Sequence, residues 1–238
     1  MEPILLVRCD PEETFGIARA SLESAGAATV TWEALDGDPR PPLDGISGVV
    51  LFGSSYNVEH AEEQPFIKEA RELTLEAIDR AVPYLGICFG AQLLAWSLDA
   101  TVLKAPVREV GYEPIRPTPA AREDELLSHY EDGDQVFQWH MDTFEMPAGA
   151  VPLATGDQVR NQAYRVGDTT WGVQWHFEID RREIDMWLGS FEQADGPLER
   201  SWGKSAQRIR DEAARLQDRH EAKGREVFTR FAGSTALR

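Results

Sequence analysis

The stretch PYLGICFGAQLLAW, residues 83–96, combines two patterns that together indicate the class of fold. It begins as a short apolar run typical of a buried strand, passes a cysteine framed by two glycines, and continues with the apolar spacing of a buried helix. In open parallel sheets, ligands bind at the carboxyl ends of the strands, where such strand-to-helix corners lie. The stretch therefore predicts an α/β fold with reactive groups at this corner.

The same alternation of strand and helix extends on both sides of this stretch. Strands are predicted at residues 3–8, 29–33, 48–53 and 82–87, and helices at 12–25, from Pro65 onward, and at 89–98. Such alternation predicts a parallel sheet covered on both faces. Residues 101–175 show short strands separated by turns, which favours antiparallel pairing. We expect an α/β fold: a doubly wound, mostly parallel (flavodoxin-like) sheet with helices on both faces and an antiparallel extension.

The C-terminal part of the chain is predicted to be helical. Asp180 and Glu183 have the spacing of a capping box. Residues 204–231 are strongly charged and helix-prone, and indicate a solvated helix over the sheet edge. Its candidate apolar anchors are Ile209, Ala213, Leu216, Val227, Phe228 and Phe231. No repeat or low-complexity linker divides the chain, so we expect an α/β domain over residues 1–190 and a C-terminal helical extension, 191–238, packed on it.

Charge and cysteine content exclude several classes of function. The chain has 24 basic and 41 acidic residues and a formal net charge of −17, which repels nucleic acid and anionic membranes. The apolar run from Ile4 to Val7 is too short for a signal-peptide core or a membrane span. Cys9 and Cys88 form neither a C-x-x-C pair nor a disulfide framework, and no zinc-type spacing occurs. We expect a cytoplasmic protein with free thiols and no bound metal.

Cys88 has the surroundings of a nucleophile. Gly86-Ile87-Cys88-Phe89-Gly90 has the G-x-nucleophile-x-G form of a nucleophile elbow, where side chains in place of the glycines would collide with neighbouring backbone. A helix beginning at Phe89 directs free N–H groups and its positive dipole end at the sulfur, which favours the thiolate. Cys9 has no such frame and is interpreted as a small buried hydrophobic residue.

A cysteine nucleophile needs a base and a group that orients the base. Residues i and i+2 of a strand share a face, so a His-x-acid pair places imidazole and carboxylate together. Two segments fit, residues 140–142 (His-Met-Asp) and 176–178 (His-Phe-Glu). The second lies at a strand-to-helix corner, as Cys88 does, and is favoured about two to one, with the first left open. His129 and His220 lie in charged segments and are expected at the surface.

Two motifs carry a family resemblance. GICFGAQLLA (86–95) and GVQWHFE (172–178) resemble the G-x-C-x-G-x-Q and late H-P-E motifs of class I glutamine amidotransferases. Between them, EVGYEPI (109–115) and WHMDTFEMPAGAVPLAT (139–155) are similar to the free-standing branch akin to the amidotransferase half of GMP synthase. The resemblance runs from about residue 45 to 180.

The resemblance implies a role for each matching residue. It makes Cys88 the nucleophile, His176 the base and Glu178 the group that orients the base. The oxyanion hole would be formed by the backbone N–H groups of Gly53 and Phe89. Substrate-binding positions would be Gln92, Trp139 and His140. The implied reaction hydrolyses the γ-amide of glutamine or of a γ-glutamyl compound through a γ-glutamyl thioester, releasing ammonia or an amine without a metal or organic cofactor.

Two positions depart from the family pattern. The loop that usually contains Gly-Gly-Pro is Phe-Gly-Ser-Ser-Tyr at residues 52–56. Phe177 replaces the proline between histidine and acid, and proline would have fixed the local dihedral angle. The corner at residues 176–178 is therefore expected to be held by packing alone. Neither change removes a reacting group.

Three versions of the function remain open from the sequence. The chain has no Walker-type phosphate loop, so an enzyme that uses the ammonia would be a separate synthetase subunit. The first version is a glutaminase subunit that docks on such a synthetase. The second is a stand-alone hydrolase of γ-glutamyl amides. The third is a non-catalytic binding or scaffold protein that has kept the fold.

Overall fold

A nine-stranded mixed sheet runs through residues 2–236, the part of the chain that the computed structural model describes. Its order is β2-β1-β3-β4-β9-β8-β7-β5-β6. The first five strands in this order are parallel and the remaining pairs are antiparallel. The strands are β1 (Ile4–Arg8), β2 (Thr29–Glu33), β3 (Gly48–Leu51), β4 (Tyr84–Ile87), β5 (Val102–Pro117), β6 (Gln135–Phe144), β7 (Val151–Gly156), β8 (Asn161–Val166) and β9 (Thr170–Val173).

Helices cover both faces of the parallel half of the sheet. Helices α2 and α3 pack on one face and helices α1 and α6 on the other. The helices are α1 (Ala18–Ser24), α2 (Pro65–Asp79), α3 (Phe89–Ser97), α4 (Arg181–Asp195), α5 (Leu198–Trp202) and α6 (Ala206–Ala236). This arrangement confirms the predicted doubly wound α/β sheet with an antiparallel extension. Across residues 2–236, each helix is too short or too polar to cross a membrane.

The central strands are apolar throughout because both of their faces are covered. Strands β3 (GVVL) and β4 (YLGI) are buried at every position. Leu6 pairs in register with Val50, and both belong to the core under α1 and α6. Val7 and Leu51, one position along, belong to the core under α2 and α3. Each such side chain contributes about 1.5–3 kcal/mol through burial.

Helix α1 begins later than the sequence predicts. A helix was expected over residues 12–25, whereas α1 starts at Ala18. The preceding amides are bound elsewhere, since Thr14 N donates to the Glu183 carboxylate and Ile17 N donates to the Glu178 carbonyl. These contacts join residues far apart in the chain and hold a loop where local propensity favours helix.

Helix α6 belongs to the main core and does not lie as a solvated helix over the sheet edge. Val227, Phe228 and Phe231 are fully buried with the sheet residues beneath them. Their spacing places them on one helix face, while the nearby charged residues Arg225, Glu226 and Arg230 are exposed or half-buried. The expected boundary at residue 190 falls inside α4, which runs to Asp195.

A substitution in α6 tests this placement. Phe228→Ala should lower the free energy of unfolding by about 3–5 kcal/mol, because it opens a cavity against the sheet. The measurement is urea denaturation followed by circular dichroism. Thr229→Ala, at an exposed position of the same helix, should change the free energy of unfolding by less than about 0.5 kcal/mol. Equal stability of the two variants would contradict a core role for α6.

Candidate active site

Cys88 occupies the corner between β4 and α3 in a strained backbone conformation. Its φ is 51° and its ψ is −103°, a region that non-glycine residues rarely adopt. Cys88 N donates to the Val173 carbonyl of the neighbouring strand β9 over 2.8 Å, which holds the corner in place. Strain of this kind persists where the surrounding structure enforces it, often at functional sites.

The two glycines of the motif are required by close backbone contacts. A Cβ at Gly86 would lie 2.4 Å from the Gly90 carbonyl oxygen, and a Cβ at Gly90 would lie 2.2 Å from the Leu51 carbonyl oxygen. The obstructing atoms belong to the backbone, so rotation of a side chain cannot relieve either clash. Helix α3 can therefore approach β3 and β4 this closely only with glycine at both positions.

His176 and Glu178 form a buried hydrogen-bonded pair after β9. His176 Nδ1 lies 2.6 Å from Glu178 Oε1, and both side chains are at least 95% buried. His176 N donates to the Phe137 carbonyl over 2.9 Å, and the imidazole packs edge-on against Trp187 with ring centroids 5.0 Å apart. The imidazole is therefore oriented by a charged partner, a backbone anchor and an aromatic wall.

The charge state of His176 follows from its neighbours. Burial by itself would lower the pKa of His176, but the charges of Glu178 and Cys88, with hydrogen bonds to both, raise this pKa well above its ordinary value. The arrangement can therefore provide a proton donor beside the Cys88 sulfur.

The carboxyl ends of β3, β4 and β9 bring the predicted groups to one cavity. A Cβ at Gly53 would lie 2.8 Å from His176 Cε1 and 3.8 Å from Cys88 Cβ, so both side chains lie close to Gly53. They line a cavity of about 400 Å³, together with Trp139. Phe89 is the first residue of α3, where backbone N–H groups lack intrahelical partners.

Gln92 reaches the sulfur only through a second glutamine. Gln92 Nε2 donates to Gln174 Oε1 and to the Asp142 carbonyl, each over 3.3 Å. Gln174 Nε2 in turn donates to Cys88 Sγ over 3.6 Å. Gln174 was not among the predicted site residues, although it lies inside the second quoted motif. The predicted contact of Gln92 with substrate stays a prediction.

His140 lies outside the cavity lining. Its Nε2 lies 3.0 Å from Glu109 Oε2 and its Nδ1 lies 2.9 Å from the Asp142 carbonyl oxygen, so both ring nitrogens are engaged. Neighbouring residues of a strand face opposite sides, which is why Trp139 lines the cavity and His140 does not. The Asp142 carboxylate pairs with Lys104 over 2.9 Å. His140 and the Asp142 carboxylate of the alternative His-x-Asp segment therefore do not pair with each other; the carboxylate partner of His140 is Glu109.

A group of buried carboxyl groups behind His176 was not predicted. Glu13, which lines the cavity, is buried near Glu178 and Glu183. Burial, followed by the charges of Glu183 and Glu178, raises the pKa of Glu13 well above its ordinary value. Glu13 is far from Glu178 and Glu183 in the chain, so no local pattern indicates the group. Within residues 2–236, no set of three or more His, Cys, Asp or Glu side chains is placed to hold a metal ion.

Glu183 joins this group to the loop that follows β1. Asp180 accepts the Glu183 backbone N–H, as the capping-box spacing predicted, but the Glu183 side chain does not return to Asp180. Instead Glu183 Oε1 accepts from Thr14 N over 3.0 Å and from Thr14 Oγ1 over 2.7 Å. Burial raises the pKa of Glu183 from 4.5 to about 7.

This pKa predicts a pH dependence of stability. Between pH 4.5 and about 7 the folded chain keeps a proton on Glu183 that the unfolded chain has lost. The free energy of unfolding should therefore fall as pH rises through this range. Glu183→Gln keeps an oxygen for Thr14 but does not titrate, so urea denaturation at pH 5 and pH 8 should show a smaller fall. Glu192→Gln changes an exposed residue of the same helix, so its free energy of unfolding should fall as much as that of the wild type. An equally large fall in Glu183→Gln would contradict the assignment of this pH dependence to Glu183.

Comparison with known proteins gives matches over most of the chain. The family model "Glutamine amidotransferase class-I" matches residues 17–188. A glutamine-hydrolysing GMP synthase from Porphyromonas gingivalis is 34% identical over 163 residues, which are 67% of this chain and 30% of that protein. A putative glutamine amidotransferase-like protein from Salmonella typhimurium is 28% identical over 183 residues, 71% of this chain and 77% of that protein. The chain thus matches less than a third of the length of the GMP synthase.

Solved structures share the whole fold. A glutamine amidotransferase from Thermotoga maritima has a TM-score of 0.87 at 25% identity, over 98% of this chain and 99% of that one. A glutamine amidotransferase from Methylobacillus flagellatus has a TM-score of 0.87 at 24% identity, over 98% of this chain and 95% of that one, and shows the same fold. The family match contains both the cysteine elbow at residues 86–90 and the His-Phe-Glu segment at residues 176–178, and with it the predicted relationship is confirmed: the chain belongs to the class I glutamine amidotransferases.

Proposed function

We propose that the protein hydrolyses the γ-amide of glutamine, or of a γ-glutamyl compound, with Cys88 as nucleophile, His176 as general base and Glu178 as orienting group. Family membership supports an enzyme that hydrolyses a glutamine amide in general. The assignment of roles is carried by one observation. His176 is bonded to Glu178 over 2.6 Å, it interacts with Cys88, and His176 and Cys88 line the same cavity.

The proposed reaction begins when the Cys88 thiolate attacks the γ-carbonyl carbon of the substrate. The oxygen becomes negatively charged and accepts hydrogen bonds from the backbone N–H groups of Gly53 and Phe89. His176 gives its proton to the departing ammonia or amine, leaving a γ-glutamyl thioester on the sulfur. The same imidazole then takes a proton from water, which attacks the thioester and releases glutamate. Acid–base catalysis of this kind contributes about 10²–10⁴-fold.

The altered oxyanion loop is anchored despite the missing Gly-Gly-Pro sequence. Ser54 Oγ donates to the Cys9 carbonyl over 2.8 Å, and Ser55 N donates to Asp10 Oδ2 over 2.7 Å. Tyr56 N donates to Ser54 Oγ over 3.1 Å. These bonds tie the loop to the end of β1 and support a fixed Gly53 amide. One such oxyanion donor contributes about 10²–10³-fold.

The proposal also names the kind of enzyme that accepts the ammonia. One relative is a whole GMP synthase, of which this chain matches 30% of the length. We infer that a separate synthetase subunit receives the ammonia, with direct hydrolysis of γ-glutamyl amines as the competing version. A panel of glutamine, γ-glutamyl peptides and γ-glutamyl amines, with and without cell extract, distinguishes them. Preference for glutamine and stimulation by extract support the synthetase version.

Covalent labelling tests the nucleophile. A glutamine analogue carrying a diazoketone should modify Cys88 at neutral pH and abolish ammonia release from glutamine. Peptide mass spectrometry should locate the added mass at Cys88 and not at Cys9, because Cys9 is fully buried and burial raises the pKa of its thiol. Cys88→Ala should prevent labelling, whereas Cys9→Ala should retain it. A wild-type Cys88 no more reactive than free cysteine would favour the non-catalytic scaffold.

A substitution at Glu178 tests the orienting role. Glu178→Gln removes the negative charge that raises the pKa of His176, while it keeps the size of the side chain. We expect kcat to fall by about 10²–10⁴-fold, and the acidic limb of the pH–rate profile of amide hydrolysis to move. Unchanged kcat and an unchanged profile would remove Glu178 from the mechanism.

A further inference from the structure

We propose that helix α6 is a positioning element of the active site, in which His220 and Gln217 hold the backbone of residues 176–179, referred to here as the His-x-Glu corner. This inference rests on the proposed roles of His176 and Glu178. It concerns a part of the chain beyond the family match, which ends at residue 188.

Two side chains of α6 donate hydrogen bonds to carbonyl groups of the corner. His220 Nε2 lies 2.8 Å from the His176 carbonyl oxygen. Gln217 Nε2 donates to the Ile179 carbonyl over 2.6 Å. The two donors are three positions apart and lie on one helix face. Both bonds are buried, so removal of either donor leaves a buried carbonyl that has lost this partner.

Gly224 allows α6 to contact the Phe177 carbonyl, which lies in the chain between the carbonyls of His176 and Ile179. A Cβ at this position would lie 2.0 Å from the Phe177 carbonyl oxygen, which is backbone and cannot rotate away. Position 224 is one helical turn beyond His220, on the same face of α6. One face of the helix therefore contacts the carbonyl groups of residues 176, 177 and 179.

These contacts restrain a corner that proline does not restrain here. With Phe177 in place of proline, the chain is free to rotate at a bond that the family's usual residue would fix. Ile17 N donates to the Glu178 carbonyl over 2.8 Å from the α1 side, so α1 and α6 together bind carbonyl groups at 176, 178 and 179. The corner is thus held by directed hydrogen bonds and not by packing alone. These hydrogen bonds keep the His176 imidazole and the Glu178 carboxylate at their contact distance of 2.6 Å.

His220 is suited to this position because it is neutral. Burial lowers the pKa of His220 to about 4. Because a carbonyl group only accepts hydrogen bonds, the neutral imidazole carries its hydrogen on Nε2, which donates to the His176 carbonyl. Nδ1 has no hydrogen-bond partner among residues 2–236. The Tyr112 ring packs edge-on against the imidazole, with centroids 5.8 Å apart. A neutral donor holds the backbone without placing a second positive charge beside His176.

The helix is anchored firmly enough to act as a support. Asp134 pairs with Arg219 over 2.6 Å and with Lys223 over 2.5 Å, on either side of His220. Further along, Phe228 packs against Phe177 with ring centroids 5.2 Å apart. A displacement of this part of α6 would therefore be transmitted to the corner.

Variants at position 220 test the proposal. His220→Leu fills the space but removes the hydrogen-bond donor. We expect kcat for glutamine hydrolysis to fall by about 10²-fold with little change in KM, because misplacement of a catalytic group by about 1 Å lowers the rate by this factor. His220→Gln retains an N–H at the reach of Nε2 and should recover most of kcat. The pH profile of Cys88 labelling should shift in His220→Leu and return in His220→Gln. Thr229→Ala, on the exposed face of α6, serves as the matched control.

The outcomes separate this proposal from the proposed function. A wild-type protein that is neither labelled nor active overturns the catalytic proposal. An active wild type with a folded, equally active His220→Leu overturns the positioning role alone. Thermal unfolding establishes which variants are folded, and Gln217→Met, which removes the second donor, provides the test if His220→Leu does not fold. Equal loss of kcat in His220→Leu and His220→Gln would also contradict the role of the hydrogen bond.

Discussion

The close approach of helix α3 to strands β3 and β4 is the constraint on which the site depends. It exists because Gly86 and Gly90 have no Cβ, and it forces Cys88 into a strained conformation at the carboxyl edge of the sheet. The strain is sustained by the Val173 carbonyl of β9 and by the core beneath. The strand that restrains Cys88 is also the strand that leads to His176. The Cys88 sulfur and the His176 imidazole are therefore positioned relative to each other by one pair of parallel strands.

Charge in this site is controlled by burial and by pairing. His176 has a raised pKa because Glu178 and Cys88 outweigh the desolvation that would lower it. Glu13 and Glu183 lie near Glu178, and burial raises the pKa of both. Accumulating three ionised carboxylates would be costly in a low-dielectric interior, which is the physical reason that both pKa values are raised. The same group ties the loop after β1 to α4 and so shapes one wall of the cavity.

The C-terminal helix links stability to the geometry of the site. Its apolar face completes the core on one side of the sheet, through residues such as Phe228 and Phe231. The same face continues along the helix into Gln217, His220 and Gly224, which contact the backbone of the His-x-Glu corner. Core packing therefore fixes where these donors lie, and the proposed positioning role follows from the burial of the helix.

Features that depend on neighbouring residues could be predicted from the sequence. Apolar runs predicted the strands, and glycines at fixed spacing predicted the elbow at Cys88. The i, i+2 spacing gave two candidate pairs, residues 140 and 142 or 176 and 178, and the family resemblance selected the second, which is the pair in contact. Only the tertiary structure decided the late start of α1, the buried Glu13 and Glu183, the link through Gln174, and the burial of His220, which had been expected at the surface. The two groups of features differ because the interactions that produce them act over different distances along the chain. Sterics and side-chain direction act over a few residues and leave a local pattern, whereas a buried hydrogen bond between residues 44 positions apart, such as His220 to His176, leaves none.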